Sequence, residues 1–280
     1  MQARLWQTRR RSGASGGRRS FAVASLAAMC AALYAEVSHS AAWVQEQGAG
    51  QAIVTGIYAR ADKAFSDDGS QTGAVDFQKG AVSLLIDYGV LSWLTVSGTA
   101  EFGSDTSERL PFRRPGLSNA ALSVRAQVYR SDRYAMSVEI GGRTEDAYGE
   151  ADRLVDTFGW DSPLLEARWS GGANFELFGR ASFADVSAGY RYRTGEGPDE
   201  VLLDATLGVR AFDPVTLLFQ SFTTVADGDI AAISVRQKAQ ASVVYDLSEA
   251  WSLQTGGFAT VAGQNVLAER GAFAALWYRF

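Results

Sequence analysis

The chain has 280 residues, 47% apolar and 11% aromatic, with 29 glycines, five prolines and a formal charge of −5. That length suits one large domain. After the first fifty positions no run of about 18 apolar residues occurs, which excludes a helical membrane span but not a β-barrel, whose alternating faces average out in hydropathy.

At the N-terminus, Arg4, Arg9, Arg10, Arg11, Arg18 and Arg19 precede the apolar run Phe21 to Tyr34, the pattern of a secretory signal. Residues 1–42 are expected to be that signal, cut after Ser40 or Ala42, and residues 43–280 the barrel. Arg18-Arg19-Ser20-Phe21 imitates a twin-arginine signal, yet that route carries folded cargo, and a barrel must cross the inner membrane unfolded. Cys30 imitates a lipoprotein site, but Met29 before it is a poor fit. Removing residues 1–42 leaves 20 basic and 30 acidic residues, a balance that argues against nucleic-acid binding. It also removes the one cysteine and the one histidine, Cys30 and His39, and with them disulfide and thiol chemistry.

Trp43 to Gly50 opens the remaining chain, and Gln51 to Asp62 is the first expected strand, followed by a polar loop from Phe65 to Asp76. In the second strand, Lys79 to Tyr88, Val82, Leu84, Ile86 and Tyr88 share one face and Lys79, Ser83 and Asp87 the other. Gly89 to Ser92 is expected to be a tight turn. The third strand sets Leu94, Val96, Ala100 and Phe102 against Thr95, Ser97, Thr99 and Glu101, the period of a sheet wet on one side. The fourth sets Leu122, Val124, Ala126 and Val128 against Ser123, Arg125 and Gln127. The fifth, after Ser131-Asp132-Arg133, sets Met136, Val138 and Ile140 against Ser137, Glu139 and Arg143.

Thr144 to Pro163 reads as a long acidic external loop. The sixth strand alternates Trp169, Ala173, Phe175 and Leu177 with Glu166, Arg168, Ser170, Asn174 and Glu176. The seventh alternates Val186, Ala188, Tyr190 and Tyr192 with Asp185, Ser187, Arg191 and Arg193, and Thr194 to Pro198 follows as a loop. The eighth alternates Leu203, Ala205, Leu207 and Val209 with Asp204, Thr206 and Arg210. The ninth, Val215 to Val225, has no clear phase. The tenth sets Val235, Ala239, Ala241, Val243 and Tyr245 against Ser234, Arg236, Lys238, Gln240 and Ser242. An eleventh, Trp251 to Val261, leads to the terminal strand, for about twelve in all.

An even count brings both ends of the barrel to one side. The turns on that side are short and bracketed by Tyr88 and Trp93, Tyr129 and Tyr134, Phe178 and Phe183, Phe212, Tyr245 and Trp251, an expected interfacial girdle. In the last ten residues, Gly271 to Phe280, Ala272, Ala274, Leu276 and Tyr278 alternate with a face carrying Arg279. This ending resembles the C-terminal strand of Gram-negative outer-membrane β-barrels. The resemblance implies an all-β, transmembrane, up-and-down antiparallel barrel in the outer membrane, with its lipid as partner. It also implies that Leu276, Tyr278 and Phe280 are read by the barrel-assembly machinery. A soluble sandwich or lipocalin-like barrel would explain neither the girdle nor the terminal Phe.

With apolar faces on lipid, the expected lumen lining is Arg125, Glu139, Arg143, Glu166, Arg168, Asp185, Arg191, Arg193, Asp204, Arg210, Arg236 and Lys238. Such a set forms either a selective constriction or an interior filled by ion pairs. Phe258, Phe273 and Trp277, with Phe222 if the ninth strand is phased that way, are candidates for stacking on sugar rings, loosely similar to the aromatic slide of sugar-specific porins. Outer-membrane hydrolases rely on a histidine base, so no catalytic residue is expected. The short acidic runs Asp67-Asp68-Gly69 and Asp227-Gly228-Asp229 are too short for a calcium loop, so no metal or cofactor is expected. The expected function is a monomeric porin-like channel for small polar solutes. The alternatives are an accessory pore for exopolysaccharide export, since Trp43 to Phe65 faintly resembles small barrels beside polysaccharide-synthesis machinery, and a structural or adhesive barrel with a plugged lumen.

Overall fold

A computed structural model describes residues 41–107, 116–145, 163–195, 198–228 and 231–280. The expected signal thus lies, up to Ser40, outside the described residues, as do most of the acidic loop before Pro163 and residues 196 and 197 of the loop after Thr194. Twelve strands close an antiparallel barrel in the order β1, β15, β13, β12, β11, β10, β9, β8, β7, β6, β5, β4. These are β1 (Gly50–Ala61), β4 (Phe77–Leu91), β5 (Leu94–Ser107), β6 (Gly116–Arg130), β7 (Tyr134–Glu145) and β8 (Leu164–Leu177), then β9 (Arg180–Arg193), β10 (Asp199–Phe212), β11 (Val215–Gly228), β12 (Ala231–Asp246), β13 (Trp251–Gln264) and β15 (Arg270–Arg279). Three two-residue strands, β2 (Ala64–Phe65), β3 (Gln71–Thr72) and β14 (Val266–Leu267), form a separate small sheet. It closes over the loop end, with Leu267 packed on Ala61 and Phe77.

Period-two alternation decides the inside and the outside of the wall. In β4 every second residue is buried, from Phe77 and Lys79 to Asp87, while Val82, Leu84, Ile86 and Tyr88 are exposed. That much exposed apolar surface has no place in water; its solvent is the lipid core. The ninth expected strand also acquires a phase: Leu218, Gln220, Phe222 and Thr224 are buried in β11, so Phe222 points inward. Ser221, Thr223 and Gln237 depart from the outward code. They share hydrogen bonds, Gln237 to Ser221 at 2.5 Å and Thr223 to Gln237, so polar groups on the lipid-facing side satisfy one another.

The turns at the end where β1 begins and β15 finishes are all short. Exposed Tyr88, Trp93, Tyr129, Tyr134, Phe178, Phe212, Tyr245 and Trp251 ring that end. Phe183 does not belong to the ring. It has the parity of buried Asp185 and borders a lumenal cavity, because β9 begins at Arg180 and its odd positions face inward. Gly89 corrects a second expectation. It is no turn residue: β4 runs on to Leu91 and turns at Ser92 and Trp93. A Cβ at Gly89 would lie 2.0 Å from the Glu46 carbonyl oxygen, so the missing side chain makes room for another segment of the chain.

The seam is held by β1 and β15, in register from Gln51 opposite Arg279 to Arg60 opposite Arg270. The Gly50 N–H donates to the Phe280 carbonyl at 2.8 Å and the Phe280 N–H to the Gly50 carbonyl at 3.0 Å, and the Trp251, Tyr278 and Phe280 rings stack outside it. Deleting Phe280 removes both hydrogen bonds, each worth about 1 kcal/mol, together with a ring contact. The expected result is a lower temperature for loss of the fast-migrating folded band on unboiled gels, and an unchanged temperature would mean that the last residue does not hold the seam.

Candidate functional site

The lumen is lined by charges that the register brings into opposition. Across adjacent strands Arg125 lies opposite Glu139, Glu139 opposite Arg168, Glu166 opposite Arg191 and Arg191 opposite Glu200. The Arg125 guanidinium meets Glu139 at 2.7 Å. Glu166 accepts from Arg168 at 2.9 Å and Arg191 at 2.8 Å. Arg168 also pairs with Asp204, and Arg191 reaches Glu200 at 2.6 Å, with Arg193 at 3.9 Å from the same carboxylate. These groups form a belt around β6 to β10. Arg143 borders the cavity that the belt faces.

Other expected lining residues lie away from the belt. Arg210 sits near the turn end between Asp213 at 2.9 Å and Asp246 at 2.6 Å. Arg236 donates to Thr224 at 3.3 Å. Lys238 is buried, 2.9 Å from Glu269 and 4.6 Å from the centre of the Phe258 ring. Glu269 stands outside the strands. Burial would raise its carboxyl, but the Lys238 ammonium outweighs that and holds it below the usual carboxylate range.

Glu200, Glu269 and Asp246 escaped the sequence reading. They stand at the ends of expected strands or in a connecting segment, where alternation carries no phase. Lys79, read as polar-face, pairs with Glu101 at 2.7 Å.

The opposite side of the lumen carries two apolar clusters among polar residues such as Gln51, Thr55, Ser83 and Gln254. Phe258 and Phe273 pack with Ile57 and Ala59, and Ile53 with Leu85 and Ala275. Of the three aromatic candidates, Phe258 and Phe273 are buried in this packing. Trp277 borders a cavity near the turn end, donates to Gln254 at 3.1 Å and has the Arg279 guanidinium 5.8 Å from its ring centre.

A second lumenal element was missed altogether. Of residues 41–49, the last seven of which were expected to lead into the wall, residues 41–45 run inside it. Ala42 is fully buried and Val44 nearly so. The Ala42 N–H donates to Asp185 at 2.8 Å, Ser137 donates to the Ala41 carbonyl at 2.7 Å and Gln127 to the Ala42 carbonyl at 2.9 Å. The Val44 N–H donates to Gln127 at 3.2 Å and the Gln45 N–H to Thr95 at 2.8 Å. Trp43 fills the space over Gly172, where a Cβ would come 2.2 Å from its ring, and Glu46 fills the space over Gly89. Two glycines of the wall thus admit the segment.

This segment lies between two cavities. The upper one, of about 220 Å³, is bordered by Ala41 and the charged belt. The other, of about 340 Å³ toward the turn end, is bordered by Trp43, Val44 and Gln45 together with Phe183, Trp277 and Arg279. The lumen is therefore divided by the chain's own residues 41–45.

The COG4313 outer membrane channel from Pseudomonas putida F1 matches this architecture with a TM-score of 0.68 at 13% identity, over 88% of this chain and 100% of that one. This chain has the fold of outer-membrane β-barrels. The NanC porin matches with a TM-score of 0.50 at 7% identity, over 81% of this chain and 98% of that one. At such identities the likeness is one of fold. No protein-family profile matches the sequence, and no curated protein does.

Proposed function

We propose that this barrel is a passive outer-membrane channel for small polar solutes whose lumen is occupied at rest by residues 41–45. The observation that carries the reading is the charged belt facing one of two cavities between which residues 41–45 lie. Charge rings beside a constriction select solutes by sign and width. The likeness to a protein described as an outer membrane channel supports the same reading. For a carbohydrate solute, Trp277 offers the ring face, with Arg279 and Gln254 beside it for hydroxyl groups. The chain is read as a non-enzyme, with no histidine after His39 to serve as a base.

The purified protein in a planar bilayer should give small conductance steps. Arg143→Glu, which reverses a charge bordering the upper cavity, should shift the reversal potential toward cation selectivity. Unchanged selectivity would remove the belt from the ion path. The occupied lumen also favours a second reading, a structural barrel that never conducts. The complete absence of steps, even after the segment is deleted, would establish that reading instead.

A further inference from the structure

We propose that signal processing cuts the Ser40–Ala41 bond and that the ammonium it releases anchors the lumenal segment beside Asp185. The inference rests on export of the chain as an outer-membrane barrel. The sequence allows two cuts, since Ser38 and Ser40 put small residues at the positions a signal peptidase reads, and so do Ser40 and Ala42. The two cuts leave different molecules inside the barrel.

A cut after Ala42 removes the hydrogen bonds from Ser137 to the Ala41 carbonyl, from the Ala42 N–H to Asp185 and from Gln127 to the Ala42 carbonyl. With the segment in place Ser137 is 1% exposed and Asp185 5%, so these wall groups would lose the partners that cover them. A cut after Ser40 keeps all three. Hydrolysis there breaks the Ser40–Ala41 amide, water giving its hydroxyl to the Ser40 carbonyl carbon and its hydrogen to the nitrogen. The new amine is largely protonated at neutral pH.

Charge favours the same cut. Ala41 borders the upper cavity, whose lining holds the carboxylates Glu101, Glu139, Glu166, Asp185 and Asp204 against four arginines. Glu101 is held by Lys79, and the carboxylate that meets the segment is Asp185, which accepts from the Ala42 N–H. The Ala41 nitrogen lies within roughly 4 Å of the Ala42 nitrogen by backbone geometry, and the latter is 2.8 Å from Asp185. The amine therefore enters a site already arranged around its neighbour, and the segment gains a charge-assisted hold.

The test uses protein extracted from outer membranes. N-terminal sequencing and intact mass should give a chain beginning Ala41-Ala42-Trp43. A chain beginning at Trp43 overturns the inference while leaving the export reading intact, and a chain beginning at Met1 overturns both. The anchoring is tested by acylating amines in the folded barrel and following the N-terminal peptide by mass spectrometry. Labelling should be roughly tenfold or more slower than after heat unfolding, as for a group reached only by local opening, and equal rates overturn it. Asp185→Asn keeps the shape and removes the charge, and should speed labelling several-fold in the folded protein. If that variant loses its folded gel band, Ser137→Ala replaces it. Labelling as slow as in the unaltered protein would overturn the anchoring.

Discussion

A chain lacking Ala42–Gln45 is expected to conduct several-fold more current per channel than the intact protein. The deletion touches no wall strand, since β1 begins at Gly50. It also keeps the clasp in which the Gly48 N–H donates to Gly89 at 2.8 Å and the Gly89 N–H to Ala49 at 2.9 Å. What it removes is the partition between the two cavities, together with the hydrogen bonds to Asp185, Gln127 and Thr95. The folded gel band should persist, because the barrel's backbone hydrogen bonds are made between strands. Single-channel recording checks the result. Conductance no larger than that of the intact protein would mean that the belt and the apolar packing close the lumen by themselves. Trp43→Ala, which empties the space over Gly172, should fall between the two.

Arg191→Met should be the most destabilising single change in the lumen. Arg191 is 5% exposed and bridges Glu166 and Glu200. Methionine keeps much of its length and none of its charge, leaving Glu166 to Arg168 and Glu200 to Arg193 at 3.9 Å. Removing one partner of a buried ion pair costs about 3–5 kcal/mol, which should appear as a clear drop in the urea midpoint of the refolded barrel. The double variant Arg191→Met with Glu200→Gln should recover part of the loss, since residues in one network couple. A loss below about 1 kcal/mol would place the pair in the range of solvated bridges and make the belt a wet surface, not a packed one.

The sequence by itself determined the wall. Each lipid-facing residue is chosen by the solvent directly beside it, so Val82, Leu84, Ile86 and Tyr88 declare their face without reference to any other strand, and Lys79, Ser83 and Asp87 declare the opposite one. The strand count and the short turns follow from the same local rule. Register was not legible, because a slide of two residues preserves the alternation while changing every partner. Only the closed barrel sets Arg191 between Glu166 and Glu200, whereas the place of Phe183 was legible by parity, since it shares the face of Asp185. The lumenal segment was hidden for a related reason. Ala42 is held by Asp185, 143 positions away, and its neighbours are received by glycines at positions 89 and 172. Nothing within nine short residues announces a contact whose other half belongs to the wall.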